Sequence, residues 1–338
     1  MNINNSKIEL VSEIKSIKNN DYDCLQSIVL TVATFWDIDP TMMFSLLWGF
    51  KYYNTDNSLN RLGDKIDLGY PGNAWEFLHK YNGIKIKERI PEDPDNIELV
   101  RETIIDSISC DNQIALNIDA YVCPWNLSYQ KTHYPHYCIV TGFCDNDIVC
   151  IDPFSSSNEY EILPIESLIR GYNDKLQRGF CYLEFEKDQV SNTIDLLELI
   201  EVLYKNIKNQ NTSLINSILS FSNDILHIDY GTEIDSMNDI NSIPLVLKVN
   251  SIGNNRKNVA SYFKYLSSIF KEDSLLTLSS EFTASFNSWY KVKLYLIMYF
   301  TTQRRKDIEN ISVKLKSIAE IENKILGDLG NIINSLKK

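Results

Sequence analysis

Glycine and proline are scarce in the 338-residue chain, at 12 and 9, and only four histidines are present. Against long stretches rich in Ile, Leu, Lys, Asn and Glu, that scarcity favours helix and leaves little material for a turn-dense all-β fold. No internal repeat or low-complexity tract occurs, and a hydrophobic fraction of 44% supports a full core. Positive charge is also short. Thirty-three Lys and Arg face forty-five Asp and Glu, a formal net charge of −12, which argues against general nucleic-acid binding. The longest apolar runs, "IVLTVATFW" and "LYLIMYF", fall far short of the roughly 20 residues that span a bilayer. The N-terminal "MNINNSKIELVSEIKS" lacks the apolar core of a signal peptide, so the expectation is a cytoplasmic protein with no membrane partner. The seven cysteines include no CxxC pair and no zinc-like spacing, so no metal site is expected and most should be small buried hydrophobes.

Two halves of different character follow. Helical periodicity runs through 24–36, 40–52, 73–81 and 95–109, then strand-like runs appear at "GIKIKERI", "QIALNID", "HYCIVTGF", "DIVCIDP" and "FCYLEFE". That order predicts an α+β domain over 1–187, with helices packed on an antiparallel sheet. From about 190 almost every segment predicts helix, except "SNDILHIDYGTEIDSMNDINSIP", which predicts loops with a short strand. A second, all-α domain over 188–338 is expected, with its boundary at the polar "KDQVSN".

The chemistry-bearing residues converge on a thiol. Cys24 opens a helix after Asp23, a good N-cap, with Leu25, Ile28, Val29, Val32 and Phe35 recurring at helical spacing. A first-turn cysteine faces the positive end of the helix dipole, which should lower its pKa, and the free N–H groups there suit an oxyanion. His136 heads the strand of "HYCIVTGFCDNDIVCIDPF" and Asp152 stands near its end. A three-residue turn at Cys144–Asn146, with Asn146 left-handed, pairs Phe143 with Asp147 and sets His136 and Asp152 on one face. A two-residue or a four-residue turn would set them on opposite faces. His133 is a rival base in the preceding loop; His79 and His227 lack a matching acid. Each position also has a plain structural reading: a packed cysteine, a satisfied edge histidine, an Asp-Pro turn.

The Cys24, His136, Asp152 order is that of papain-like thiol enzymes, and "DYDC" with the H…DP hairpin resembles the bacteriocin-processing cysteine peptidases. Those peptidases carry an oxyanion glutamine six residues before the cysteine, where this chain has Lys18; Asn19 and Asn20 are the substitutes at hand. A wider resemblance, over 20–187, is to the butirosin-biosynthesis acyltransferase family and the related amide synthetase of closthioamide biosynthesis. It is carried by "DCLQSIVLTVATFWDIDPTMMFSLLWG" and "NQIALNIDAYVCPWNLSYQKTHYPHYCIVTGF". That resemblance implies a papain-like fold with an appended helical domain. It implies acyl transfer from the phosphopantetheine thioester of an acyl or peptidyl carrier protein, through Cys24, to a small amine or diamine, with no bound cofactor. Asp119 is then either an ammonium contact or a loop cap, and Trp125 and Tyr129 are candidates to line an acyl channel. The run "QRRKD" at 303–307 is a candidate carrier contact, and Glu320 and Glu322 are candidates to select a basic acceptor. The same triad also fits a thiol hydrolase of the peptidase type, and a catalytically inactive binding module is the third reading.

Overall fold

The computed structural model describes residues 8–10, 12–19, 21–54, 61–68, 75–90, 93, 96–131, 133–145, 147–155, 160–167, 181–190, 193–208, 213–234 and 239–338. The chain divides into two units, Met1–Pro40 with Trp75–Asn192, and Thr41–Ala74 with Thr193–Lys338. The expected 187/188 boundary thus falls close to the last crossing, between Asn192 and Thr193, but residues Thr41–Ala74 belong with the later residues.

The first unit is α+β with an antiparallel sheet. Its strands are β1 (Ile8–Leu10), β4 (Ile84–Arg89), β5 (Gln113–Asp119), β6 (Pro135–Cys144), β7 (Asp147–Ile151), β8 (Glu161–Leu163) and β9 (Cys181–Lys187). They run in the order β4-β9-β5-β6-β7-β8, and β1 pairs with the far end of β6 beyond β5. All five runs read as strands from their alternation are strands here. Three helices flank the sheet: α1 (Cys24–Phe35) packs on β6, α2 (Glu76–Asn82) on β4, and α3 (Ile97–Ser109) on β5. Val100, Ile104 and Ile108 of α3 close over Ile114, Leu116, Ile118, Val140 and Ile148 to make a buried apolar core. Gly83 ends α2 in the left-handed region (φ 70°), where its missing side chain leaves room for the Asp188 carbonyl.

The second unit is led by three long helices, α7 (Pro244–Phe270), α8 (Asp273–Thr302) and α9 (Arg305–Leu336), with α4 (Leu196–Lys208) and α5 (Leu214–Asp224) packed on α9. The 222–244 segment holds the short helix α6 (Tyr230–Ile234) between 3-10 turns, with no strand among its described residues. Residues 40–52, whose apolar spacing suggests helix, form a 3-10 turn (Thr41–Phe44), a further turn and an irregular run into β2 (Lys51–Tyr52), which pairs with β3 (Ile66–Asp67). Met42 through Phe50 are all buried, so the apolar run reflects burial from every side rather than one face of a helix.

Trp48 and Gly49 are tied into this unit by a buried charge cluster. The Glu322 carboxylate accepts from Arg256 Nε and NH2 (2.9 and 3.0 Å), Ser285 Oγ (2.7 Å), Trp289 Nε1 (3.0 Å) and Trp48 Nε1 (3.0 Å). Arg256 NH1 donates to the Gly49 carbonyl at 3.0 Å. Burial pushes the Glu322 carboxyl up, but the Arg256 charge and these bonds hold it below the usual range. Glu322 is therefore a structural anchor with no exposed surface, not a selector of substrate. Glu320 remains exposed on the opposite side of α9. In the 303–307 run Gln303 and Arg304 form the turn between α8 and α9 and Arg305–Asp307 the first turn of α9; Arg304 pairs with Asp307 and Arg305 donates to the Leu226 carbonyl.

Candidate functional site

The helix start at Cys24 is built as its sequence suggests. Asp23 caps α1 by accepting from the Gln26 backbone amide (2.8 Å), and Gln26 Oε1 in turn accepts from the Asp23 backbone amide (3.3 Å). Cys24 is the first helical residue, with its own N–H and that of Leu25 among those lacking a helical acceptor. The expected thiolate does not follow. Burial, with Asp23 and Asp152 adding like charge, pushes the thiol up to about 12, and the Leu25 and Cys24 amides oppose that rise without overcoming it. The amides are the smaller effect because desolvation acts on the whole thiolate charge.

The hairpin reaches the expected pairing by another route. Cys144 pairs with Asp147, so the turn has two residues, not three. Asp145 takes the left-handed conformation (φ 54°), and Asn146, expected there, lies outside the described residues. A β-bulge between Val140 and Gly142 then inserts Thr141 as an extra residue and restores the register, giving Ile139 opposite Ile151. The bulge is pinned on both sides. Thr141 Oγ1 donates to the Val149 carbonyl (3.2 Å), and the Thr141 carbonyl accepts from the Ser12 amide (3.1 Å). Turn and bulge each shift the register by one, and together they return His136 and Asp152 to the same face.

His136 Nε2 lies 2.7 Å from Asp152 Oδ2, and both side chains are almost wholly buried. Trp125 Nε1 donates to the same oxygen at 2.6 Å, and the Phe154 amide donates to Oδ1 at 2.7 Å. Burial pushes the Asp152 carboxyl up, but His136, the Phe154 amide and the Trp125 indole bring it net below its ordinary value. An ionised Asp152 fixes the imidazole proton on Nε2 and leaves Nδ1 as the basic nitrogen. The imidazole stands edge to face with Tyr134 and Phe154, at 6.3 and 6.4 Å between ring centres. The Asp152 charge acts on the Cys24 thiol, and α1 packs on the strand that carries His136, so the three predicted residues share one neighbourhood.

Neither a protein-family model nor a curated protein matches the chain. What the site can do rests on its own geometry. A neutral thiol, an imidazole with one nitrogen fixed and one basic, and two amides at a helix start suit nucleophilic acyl chemistry.

The remaining candidates fall elsewhere. Asp119 is buried and fully engaged, accepting from the Tyr121 and Tyr134 amides (3.0 and 3.2 Å) and pairing with His133 Nδ1 at 2.6 Å. It caps the loop, and Tyr121 stacks on the His133 ring at 4.1 Å. The rival base therefore has an acid partner too, but of the two histidine-paired carboxylates it is Asp152 whose charge acts on Cys24. Trp125 packs on the core and supports Asp152, a positioning role that its place in a long loop gave no sign of. Tyr129 stands half exposed in the same loop. Asn19 Oδ1 is taken by the Asp21 amide (3.0 Å) in the turn before α1, Lys18 is exposed, and Asn20 lies outside the described residues. The other cysteines are free thiols; Cys123, Cys138, Cys144, Cys150 and Cys181 are buried, and Cys110 is exposed. Among the described residues no cluster of His, Cys, Asp or Glu is arranged to hold a metal ion, and no helix is long and apolar enough to cross a membrane.

Proposed function

We propose that the chain is a cysteine-dependent acyltransferase that forms amides, taking an acyl group from a carrier-protein phosphopantetheine thioester onto Cys24 and passing it to a small amine. The first unit is read as a papain-like catalytic domain, and the helical residues from 193 onward as its appended domain. The observation that carries the reading is the buried His136–Asp152 pair, bonded at 2.7 Å, whose carboxylate acts on the thiol at the start of α1.

His136 Nδ1 takes the Cys24 proton as the sulfur attacks the thioester carbonyl, and the Cys24 and Leu25 N–H groups hold the developing oxyanion. Collapse expels the pantetheine sulfur, which leaves with the proton from Nδ1. A neutral amine then attacks the acyl-Cys24 carbonyl, Nδ1 receives the amine proton, and the Cys24 sulfur departs and recovers it. Asp152 keeps Nε2 protonated throughout and stabilises the imidazolium formed in each half. Sulfur-to-sulfur exchange is close to isoenergetic, and amide formation draws the second step forward. The carrier-protein partner, the amine acceptor and a cytoplasmic setting belong to this proposal.

Intact mass after incubation with an acyl carrier protein thioester tests it. An acyl adduct is expected on the wild type and not on Cys24→Ala, with faster discharge in added amine than in buffer. Discharge at one rate with or without amine would assign the site to a thiol hydrolase. Absence of any adduct would leave a non-catalytic module.

A further inference from the structure

The second unit contains a cavity of about 250 Å³ lined by Leu62, Lys65, Asp224, Ile228, Asp229 and Glu233, with His227 and Thr232 completing its wall. Three carboxylates line it, and each accepts at least one hydrogen bond from the protein. Asp224 Oδ2 accepts from Tyr52 Oη at 2.9 Å, Asp229 Oδ1 from the Thr232 amide at 2.7 Å, and a Glu233 oxygen from the Leu62 amide. Glu233 is only 1% exposed, and its Oε2 has no hydrogen-bond partner among the described residues. A buried carboxylate oxygen without a donor is costly and is found where a ligand, ion or water supplies one. Burial raises the Glu233 carboxyl, and the Leu62 and Gly63 amides and the Arg61 charge oppose that rise without overcoming it.

We infer that this cavity binds a small organic ammonium ion, with the N–H groups donating to Glu233 and its neighbouring carboxylates and the hydrocarbon part resting on Leu62 and Ile228. The sign of the ligand follows from three carboxylates against the single lysine in the wall. The size follows from the volume, which lies below the roughly 300–1,000 Å³ of pockets for drug-sized ligands. A metal ion is the poorer fit, because these side chains do not converge as a coordination shell. Every residue of the site belongs to the second unit, so the inference stands or falls apart from the acyl-transfer reading.

Calorimetric titration of the full chain with n-butylammonium chloride, against sodium chloride at equal ionic strength, tests it. Saturable binding is expected for the ammonium salt alone. Glu233→Gln should weaken it about tenfold or more, the loss of one charge-assisted bond. Asp229→Asn keeps a side-chain oxygen for the Thr232 amide and sits at the exposed mouth, so it should fold normally and also weaken binding. That second variant decides the matter if Glu233→Gln proves unstable. No saturable heat, equal heat with sodium, or unchanged affinity in Asp229→Asn together with any folded Glu233→Gln would overturn the inference.

Discussion

Alkylation of Cys24 separates the effect of its helix start from that of its burial. The folded chain moves this thiol from an ordinary 9.0 up to about 12. At any pH below 9, that cuts the thiolate fraction about a thousandfold. A more basic thiolate is a better nucleophile, and a Brønsted slope of about 0.4–0.5 returns roughly 15- to 30-fold. Iodoacetamide should therefore label Cys24 about 30- to 60-fold more slowly in the folded chain than in urea, before any steric shielding. The shape of the pH profile removes the steric factor. Peptide mass spectrometry of the Cys24 peptide should show the folded rate climbing tenfold per pH unit from about pH 7 to about pH 10, with no inflection near 9. A plateau reached below pH 8 would refute this reasoning. It would mean that His136 already holds the proton and that a thiolate–imidazolium pair is the resting state. With the expected profile, the proton moves only when substrate arrives, and His136→Ala should leave the alkylation profile in place while abolishing the acyl adduct.

Asp152→Asn should keep the fold and slow acyl-adduct formation by about 100-fold or more in stopped-time mass spectrometry, since the neutral amide no longer favours the Nε2–H tautomer. Trp125→Phe removes one donor from Asp152. Because that carboxyl lies below its ordinary 3.8 in the folded chain, its stabilisation is present above that pH and lost as pH falls through the folded value. The variant should then lose thermal stability at a higher pH on the acid side than the wild type, read from melting temperature against pH. Deleting Thr141 should leave the two-residue turn without its compensating bulge and turn His136 away from Asp152. Far-ultraviolet circular dichroism should be preserved while the adduct disappears. Glu322→Gln leaves the buried Arg256 without its counter-charge and should cost about 3–5 kcal/mol by urea denaturation. Pairing it with Arg256→Met should restore a large part of that loss.

The site was legible where local chemistry decides structure. Asp23, Cys24 and Gln26 form a capping unit whose four consecutive residues carry the whole signal. His136 and Asp152 were legible as ends of two alternating runs, but the reason for their pairing was not. Turn length depends on Asp145 adopting a left-handed backbone, and the bulge at Thr141 depends on a Ser12 amide far away in sequence. The Cys24 pKa was misjudged for a similar reason: dipole and amide contacts are local, whereas desolvation is set by the packed tertiary surroundings. Residues 40–52 show helical spacing without forming an α-helix because periodicity assumes a solvent-facing side, and Met42 through Phe50 have none. The Arg256–Glu322 pair left a usable trace. Val249, Ile252, Arg256, Val259 and Phe263, and likewise Ile311, Leu315, Ile318, Glu322, Ile325 and Leu329, are core-facing stripes at three- and four-residue spacing, each broken by one charge. A lone acid and a lone base at core positions of two helices point to each other.

The excursion of Thr41–Ala74 into the second unit has a consequence for the order in which the protein is made. The segment emerges from the ribosome early, with Met42 through Phe50 bound for burial, yet Arg256 and Glu322 are synthesised some two hundred residues and more after it. Until then its apolar run has no permanent home and is exposed to chaperones and to its neighbours. The first unit cannot be released by cutting the gene at its polar linker, because the fragment 1–187 would carry this apolar insert, without the later helices that bury it, between Cys24 and His136.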